Sequence, residues 1–126
     1  MRRYPKYKRK EYMEKLYEII NKLLELKDHI FIVEGKKDIE SLMFLGISKK
    51  QIYAVSNKEI SKILCAVQGK KLIDFLDNDK EGINIKENLL RHNIYVDSKY
   101  KNDLFKLLQI TKTEEIKRRI MKLRLF

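Results

Sequence analysis

The sequence has few of the residues that build covalent frameworks, metal clusters or membrane spans. Cys65 is the single cysteine, which excludes an intramolecular disulfide and a multi-cysteine zinc site. Its position in the apolar run ILCAV predicts a small core residue rather than a reactive thiol. No run of about 18 apolar residues occurs, so we expect no membrane-spanning helix. The N-terminal pattern is not that of a signal peptide either, which leads us to expect a cytoplasmic protein.

Several common catalytic motifs are also absent. The chain has no Walker A loop and no G-x-G-x-x-G stretch. Its two histidines, His29 and His92, have no partner at metal-ligand spacing. With one proline and four glycines among 126 residues, the chain shows no flexible linker and is expected to form one domain.

The charge balance, by contrast, is strongly positive. Lys and Arg number 29 against 18 Asp and Glu, which gives a net charge of +11. This excess favours a polyanionic partner such as nucleic acid, although proteins from hot environments also carry highly charged surfaces. The candidates for phosphate contacts lie near both ends of the chain and are Arg2, Arg3, Lys8, Arg9, Lys10, Arg118 and Arg119.

Hydrophobic periodicity predicts alternating strands and helices. Short β-branched or apolar runs at 30–33, 52–55, 71–76 and 94–96 predict four strands, and three- and four-residue spacing predicts helices at 37–45, 57–67 and 83–92. This alternation predicts an α/β fold with an open, mainly parallel four-stranded sheet and helices on both faces. We expect a mobile basic arm at 1–10, an amphipathic helix at 11–27, the main domain at 28–100 and a basic helical extension at 101–126.

Acidic side chains follow two of the predicted strands. Glu34 comes directly after the first strand, and Asp77 and Asp79 come after the third. Ligands bind beyond the carboxyl ends of parallel strands, so we expect the three carboxylates to converge there. Repulsion between them favours a hard cation in their midst, and Mg²⁺ is the natural candidate. Taken alone, the D-x-D-x-x-G segment ending at Gly82 is also good turn chemistry.

Two segments resemble a known family. Residues 31–38, FIVEGKKD, and residues 76–82, LDNDKEG, are similar to the two signature motifs of the Toprim domain, which occurs in topoisomerases, primases and some nucleases. The resemblance covers 28–100 and is closest to the small, single-domain archaeal Toprim proteins, related to the ribonuclease that matures 5S ribosomal RNA. It implies a Toprim fold, with Glu34 as a metal ligand or general acid/base and Asp77 and Asp79 as metal ligands.

The same resemblance suggests roles for two neighbours of Glu34. Asp38 matches an acid of the nuclease-like branch and would hold a second metal, but an acidic residue in a first helical turn is also favoured by the helix dipole. Lys36 matches a basic position that contacts phosphate, and a solvated surface lysine explains it equally well. Asp74 interrupts the apolar run of the third strand, where the family has an apolar residue; a polar pocket or an edge strand would accommodate it.

Two hypotheses about function follow. The first is a Mg²⁺-dependent nuclease or related phosphoryl-transfer enzyme, with Mn²⁺ as a substitute and RNA favoured as the substrate. The alternative is a non-catalytic, metal-stabilised module that binds RNA or DNA, for example ribosomal RNA. A topoisomerase or primase is disfavoured because the additional domains such enzymes need are missing. The sequence does not indicate an oligomeric state.

Overall fold

The computed structural model describes residues 6–124, with side chains from 9 to 123, and these residues form a mixed α/β fold. In chain order the elements are α1 (Lys6–Leu24), β1 (His29–Val33), α2 (Lys36–Phe44), a 3-10 helix (Lys49–Gln51), β2 (Ile52–Ala54), α3 (Ile60–Val67), β3 (Lys71–Asp74), α4 (Lys80–Arg91), α5 (Lys99–Leu108) and α6 (Glu115–Arg124). The predicted α/β class and the parallel strand arrangement are confirmed.

The sheet has three strands in the order β2-β1-β3, all parallel. Ile32 of the central strand β1 lies opposite Tyr53 on one side and Asp74 on the other. Phe31, Ile32 and Val33 are fully buried, as expected for a strand covered on both faces. The register places Glu34, just beyond β1, level with the chain that leaves β3.

The predicted fourth strand does not form. Among residues 6–124, a single isolated bridge, between Ile73 and Asp97, extends the sheet beyond β3. Asp74 donates its N–H to the carbonyl of Asp97 at 2.8 Å, and Asp97 donates its N–H to Leu72 at 2.9 Å. Helix α5 begins two residues later, so the chain turns away before a ladder can build up.

Helices cover both faces of the sheet, and side-chain alternation along the strands divides the core accordingly. Phe31, Val33 and Phe75 face the layer of α1, α2, α5 and α6. Ile32 and Leu76 face α3 and α4. The N-terminal helix and the C-terminal helices, of which only the latter were predicted as an extension, therefore share one hydrophobic core with the sheet.

Three local features differ from expectation. Helix α1 begins at Lys6, inside the segment predicted as a mobile arm, and residues 1–5 with Arg2 and Arg3 lie outside the described residues. Helix α3 begins at Ile60 rather than residue 57 because Asn57 has a φ of 62°, which a right-handed helix cannot continue. Cys65 is exposed on α3, so its predicted core position is wrong.

Two aspartates determine where β3 ends and where α4 begins. Asp74 accepts the N–H of Leu76 at 2.8 Å, and this local bond competes with the strand ladder. Asp79 caps α4 by accepting the N–H of Gly82 at 2.9 Å, so the helix starts earlier than predicted. Among the described residues, no helix has the length and apolar character needed to cross a membrane.

Candidate metal centre

The end of the central strand positions Glu34. Its backbone carbonyl accepts the N–H of Ser56 at 3.0 Å, which continues the pairing with the chain after β2. Its side chain reaches the other way, and Oε2 accepts the N–H of Asp77 at 2.9 Å. Two neighbouring strand ends are thus joined by this carboxylate, as their parallel arrangement predicts.

The loop after β3 positions Asp77 and Asp79. Asp77 Oδ1 accepts the backbone N–H of Thr113 at 2.9 Å, and Asp79 Oδ1 accepts that of Gly82 at 2.9 Å. Each of the two carboxylates is therefore held by a backbone donor. Thr113 also donates its hydroxyl to the carbonyl of Phe75 at 2.5 Å, which fixes the 111–113 segment against the same loop.

Gly82 completes this loop for a steric reason. A Cβ atom added at Gly82 would lie 2.0 Å from the carbonyl oxygen of Asp77, far inside van der Waals contact. The first turn of α4 can therefore approach the backbone of Asp77 only because residue 82 has no side chain. The glycine of the D-x-D-x-x-G motif is therefore required by the close contact between α4 and the backbone of Asp77.

Glu34, Asp77 and Asp79 come together as predicted, each offering one carboxylate oxygen within 4.8 Å of the others. Burial raises the pKa of Glu34 to about 7 from 4.5; the N–H of Asp77 opposes this rise, and the negative charges of Asp77 and Asp79 add to it. Burial also raises the pKa of Asp77. Three acids at this spacing resist simultaneous ionisation unless positive charge is supplied.

The donor set fits a hard divalent cation. Among residues 9–123, no lysine or arginine forms an ion pair with these three carboxylates, although the charge of Lys112 lowers the pKa of Asp77 somewhat. Carboxylate oxygens with room for water and phosphate are what Mg²⁺ takes in proteins, and Mn²⁺ accepts the same ligands. Within the part of the chain that the structure describes, no soft or nitrogen ligand accompanies the three acids.

Asp38 and Lys36 lie beside this cluster in the first turn of α2. Asp38 is 6% exposed and accepts the N–H of Gly35 at 3.0 Å, the contact of an acidic residue that caps its own helix. Burial raises its pKa to about 6. It is not a member of the group of three, and its role as a ligand of a second metal stays a prediction. Lys36 is exposed.

The predicted phosphate-binding residues are spread over the surface. Arg9 donates to the carbonyl of Leu123 at 2.9 Å, and Arg119 donates to that of Leu108 at 2.6 Å, so both already stabilise helix ends. Arg118 is largely exposed and lies 3.9 Å from Glu115. Lys10 is exposed. The side chain of Lys8 lies outside the described part, and phosphate binding by the whole set stays a prediction.

Asp74, whose role the sequence left open, lies in a buried ionic network. It is 0% exposed and its Oδ2 lies 2.8 Å from Lys101 Nζ, a side chain that is itself 4% exposed. Ser98 donates to the same oxygen at 2.7 Å, and Lys86 also donates to Ser98. Lys101 further donates to the carbonyl of Leu76 at 3.0 Å. The network thus holds the backbone immediately before Asp77.

Sequence reasoning missed two contributors to this site. Thr113 was not among the predicted site residues, yet its N–H holds Asp77. Lys101 was not predicted to have a role, because the chain contains many lysines, yet it forms an ion pair with Asp74. The interruption of a buried strand by Asp74 was a usable signal, because a buried carboxylate requires a cationic partner. No pattern in the sequence indicates which lysine that partner is.

Comparison with known proteins finds similar chains in two organisms. The chain is 34% identical over 110 residues to the UPF0292 protein of Methanocaldococcus jannaschii, a match that spans 78% of this chain and 82% of that protein. A solved structure of an Aquifex aeolicus protein superposes with a TM-score of 0.66 at 30% identity, covering 80% of this chain and 97% of the other. No protein-family model matches the sequence. Neither protein's name states a substrate.

Proposed function

The chain belongs to the UPF0292 family, and we propose that it is a Mg²⁺-binding protein of the Toprim type that acts on nucleic acid as a nuclease or related phosphoryl-transfer enzyme. The observation that carries the proposal is the convergence of Glu34, Asp77 and Asp79 within 4.8 Å at the carboxyl edge of a parallel sheet. These are the residues of the two Toprim-like segments, 31–38 and 76–82. The sequence resemblance and the geometry point to the same three positions.

The chain's own groups suit phosphoryl transfer at this edge. Bound Mg²⁺ would polarise the phosphodiester and stabilise the charge that develops on its oxygens. Asp77 and Asp79 are oriented as ligands by the N–H groups of Thr113 and Gly82. Glu34 borders both aspartates, and without a bound cation its pKa is raised to about 7; we assign it the role of metal ligand or of general acid or base.

The charge of the molecule supports a polyanionic substrate. The net charge of +11 attracts phosphate backbones and raises the rate of encounter. A cation bound between Glu34, Asp77 and Asp79 would offset their repulsion of a phosphate group. We favour RNA, ribosomal RNA included, as the substrate and a cytoplasmic location as part of the same proposal.

The test combines metal binding with cleavage. Titration with Mn²⁺ followed by electron paramagnetic resonance should give saturable binding that Asp77→Asn weakens at least tenfold. Incubation with labelled single-stranded RNA and DNA should give cleavage that requires Mg²⁺ or Mn²⁺ and that Glu34→Gln lowers about 100-fold or more, the usual contribution of a general acid or base. Glu87→Gln, which removes an exposed carboxylate of α4, is the matched control and should change neither result.

The outcomes separate the two hypotheses. Metal binding without cleavage of any RNA or DNA, with Glu34→Gln indistinguishable from the wild type, would replace the enzyme by the non-catalytic binding module. Absence of saturable Mn²⁺ binding would overturn the metal centre itself.

A further inference from the structure

A groove between α2 and α6 lies close to the acidic cluster. Helix α2 starts at Lys36, two residues after Glu34. Helix α6 starts at Glu115, shortly after Thr113, whose N–H holds Asp77. The two helices pack against each other. Since both begin beside the carboxylates, the groove between them extends away from that point across the protein surface.

The lining of this groove is mainly basic. It encloses about 570 Å³, which is within the usual size range of ligand sites. Its charged residues are Lys37, Lys117, Arg118 and Lys122, opposed by Glu40 and Glu114. All four basic residues are exposed, so their charges are available to a ligand. The groove therefore offers positive potential next to a site that is strongly negative.

Exposed apolar side chains accompany the charges. Met121, which lines the groove, is 50% exposed, and Phe44 at the end of α2 is 36% exposed. Lys117 joins them, because its Nζ lies 5.9 Å from the centre of the Phe44 ring and Met121 follows one helical turn later on the same face. Basic groups beside an exposed aromatic ring are the combination that binds a single strand, through phosphates and stacked bases together.

The basic surface continues to the far end of α6. Arg9 donates to the carbonyl of Leu123, which places the start of α1 there, and Lys10 beside it is exposed. From Glu115 to Leu123 the helix rises about 12 Å. At about 3.4 Å per nucleotide of a stacked strand, this length accommodates three to four nucleotides.

From these features we propose that the groove between α2 and α6 binds single-stranded nucleic acid and leads its backbone to Glu34, Asp77 and Asp79. The inference rests on the proposed function for its ligand class, and it adds the binding surface and the strandedness. The phosphates lie along Lys37, Lys117, Arg118 and Lys122, and an unpaired base packs against Phe44. A duplex keeps its bases stacked inside and cannot use that ring.

The test measures binding without catalysis. A fluorescein-labelled 20-nucleotide single-stranded RNA is titrated with full-length protein in EDTA, and anisotropy gives Kd at several salt concentrations. The groove variant is Lys117→Gln/Arg118→Gln/Lys122→Gln. The matched control is Lys62→Gln/Lys70→Gln/Lys71→Gln, which removes the same charge from exposed positions on α3, in the turn after it and at the start of β3, remote from the carboxyl edge.

We expect the groove variant to weaken binding at least tenfold and to lower the slope of log Kd against log salt by about 2, since each lost phosphate contact removes about 0.7. The control should change Kd less than threefold. Phe44→Ala should weaken binding of the single strand about fivefold or more and leave the affinity for an unlabelled duplex competitor unchanged.

Equal effects of the groove variant and the control would overturn the inference while leaving the nuclease proposal standing. Preserved RNA affinity combined with loss of a wild-type dimer on sedimentation would also overturn it, because the groove would then hold a second copy of the chain. Conversely, groove-dependent binding by a protein that never cleaves RNA supports the inference and rejects the enzyme.

Discussion

The buried pair of Asp74 and Lys101 allows a quantitative test of the structure. Replacing Lys101 by Met keeps the length of the side chain and removes its charge. Asp74 is then left fully buried without the cation that lies 2.8 Å away, and the carbonyl of Leu76 loses its donor at 3.0 Å. Breaking one side of a buried ion pair costs about 3–5 kcal/mol of unfolding free energy.

The remaining contacts of Asp74 place the expected value at the lower end of that range. Leu76 and Ser98 still donate to the carboxylate at 2.8 and 2.7 Å, and Lys86 Nζ lies 3.4 Å away. We therefore expect Lys101→Met to cost about 3 kcal/mol. Asp74→Leu should cost at least as much, because Lys101, whose side chain is 4% exposed, then carries a buried charge without its anionic partner. The double variant should cost about 2 kcal/mol or more less than the sum of the two single variants.

Urea unfolding at 25 °C, followed by circular dichroism, measures these differences. Lys86→Met is the control: it removes a second lysine from the same aspartate, but that side chain is 41% exposed and more distant, so the loss should be below about 1 kcal/mol. If Lys101→Met and Lys86→Met cost the same, or if the double variant is simply additive, the reasoning about the buried pair is refuted. Because Leu76 directly precedes Asp77, Lys101→Met should also weaken Mn²⁺ binding at temperatures where the protein remains folded.

Three further predictions concern the acidic cluster. Gly82→Ala should destabilise the protein by several kcal/mol or abolish Mn²⁺ binding, because the added Cβ would overlap the carbonyl of Asp77. Gly35→Ala is the control and should be tolerated, because nothing lies within 4 Å of its added Cβ. Equal unfolding midpoints for the two variants would contradict this prediction. Asp38→Asn keeps an acceptor for the N–H of Gly35 and should leave the metal stoichiometry unchanged; a loss of one bound Mn²⁺ per chain would instead show that Asp38 holds a second metal. The pKa of Glu34 in the metal-free folded chain is raised to about 7 from 4.5, so between these pH values the folded chain keeps a proton that the unfolded chain loses. The stability that this bound proton contributes is fully present below pH 4.5 and is lost as the pH rises through 7. Glu34→Gln should remove this slope and be more stable than the wild type at pH 8 by about 1 kcal/mol after allowance for solvent screening; parallel stability curves for the two proteins between pH 4 and 8 would contradict it.

The pattern of apolar residues along the chain was sufficient to predict most of the helices and strands. The apolar run before Glu34 and the periodic spacing of Ile39 and Leu42 predicted a strand followed by a helix, and both occur. Such patterns report which face of an element is buried. They did not exclude a strand at 94–96, because Ile94 and Val96 are buried without being paired; whether a buried run joins a sheet depends on where the next helix starts.

The sequence by itself placed Glu34, Asp77 and Asp79 at one edge of the sheet, since parallel strands bring their carboxyl ends to the same edge. That β1 and β3 are neighbours, which brings the three carboxylates within reach of one another, was decided by the tertiary structure. Tertiary structure alone decided that the 111–113 segment holds Asp77, that the first turn of α4 packs on the same residue at Gly82, and that Lys101 neutralises Asp74. These contacts join elements far apart in the chain through packing of whole helices, and hydrophobic periodicity carries no information about which helix a particular loop or charge will meet.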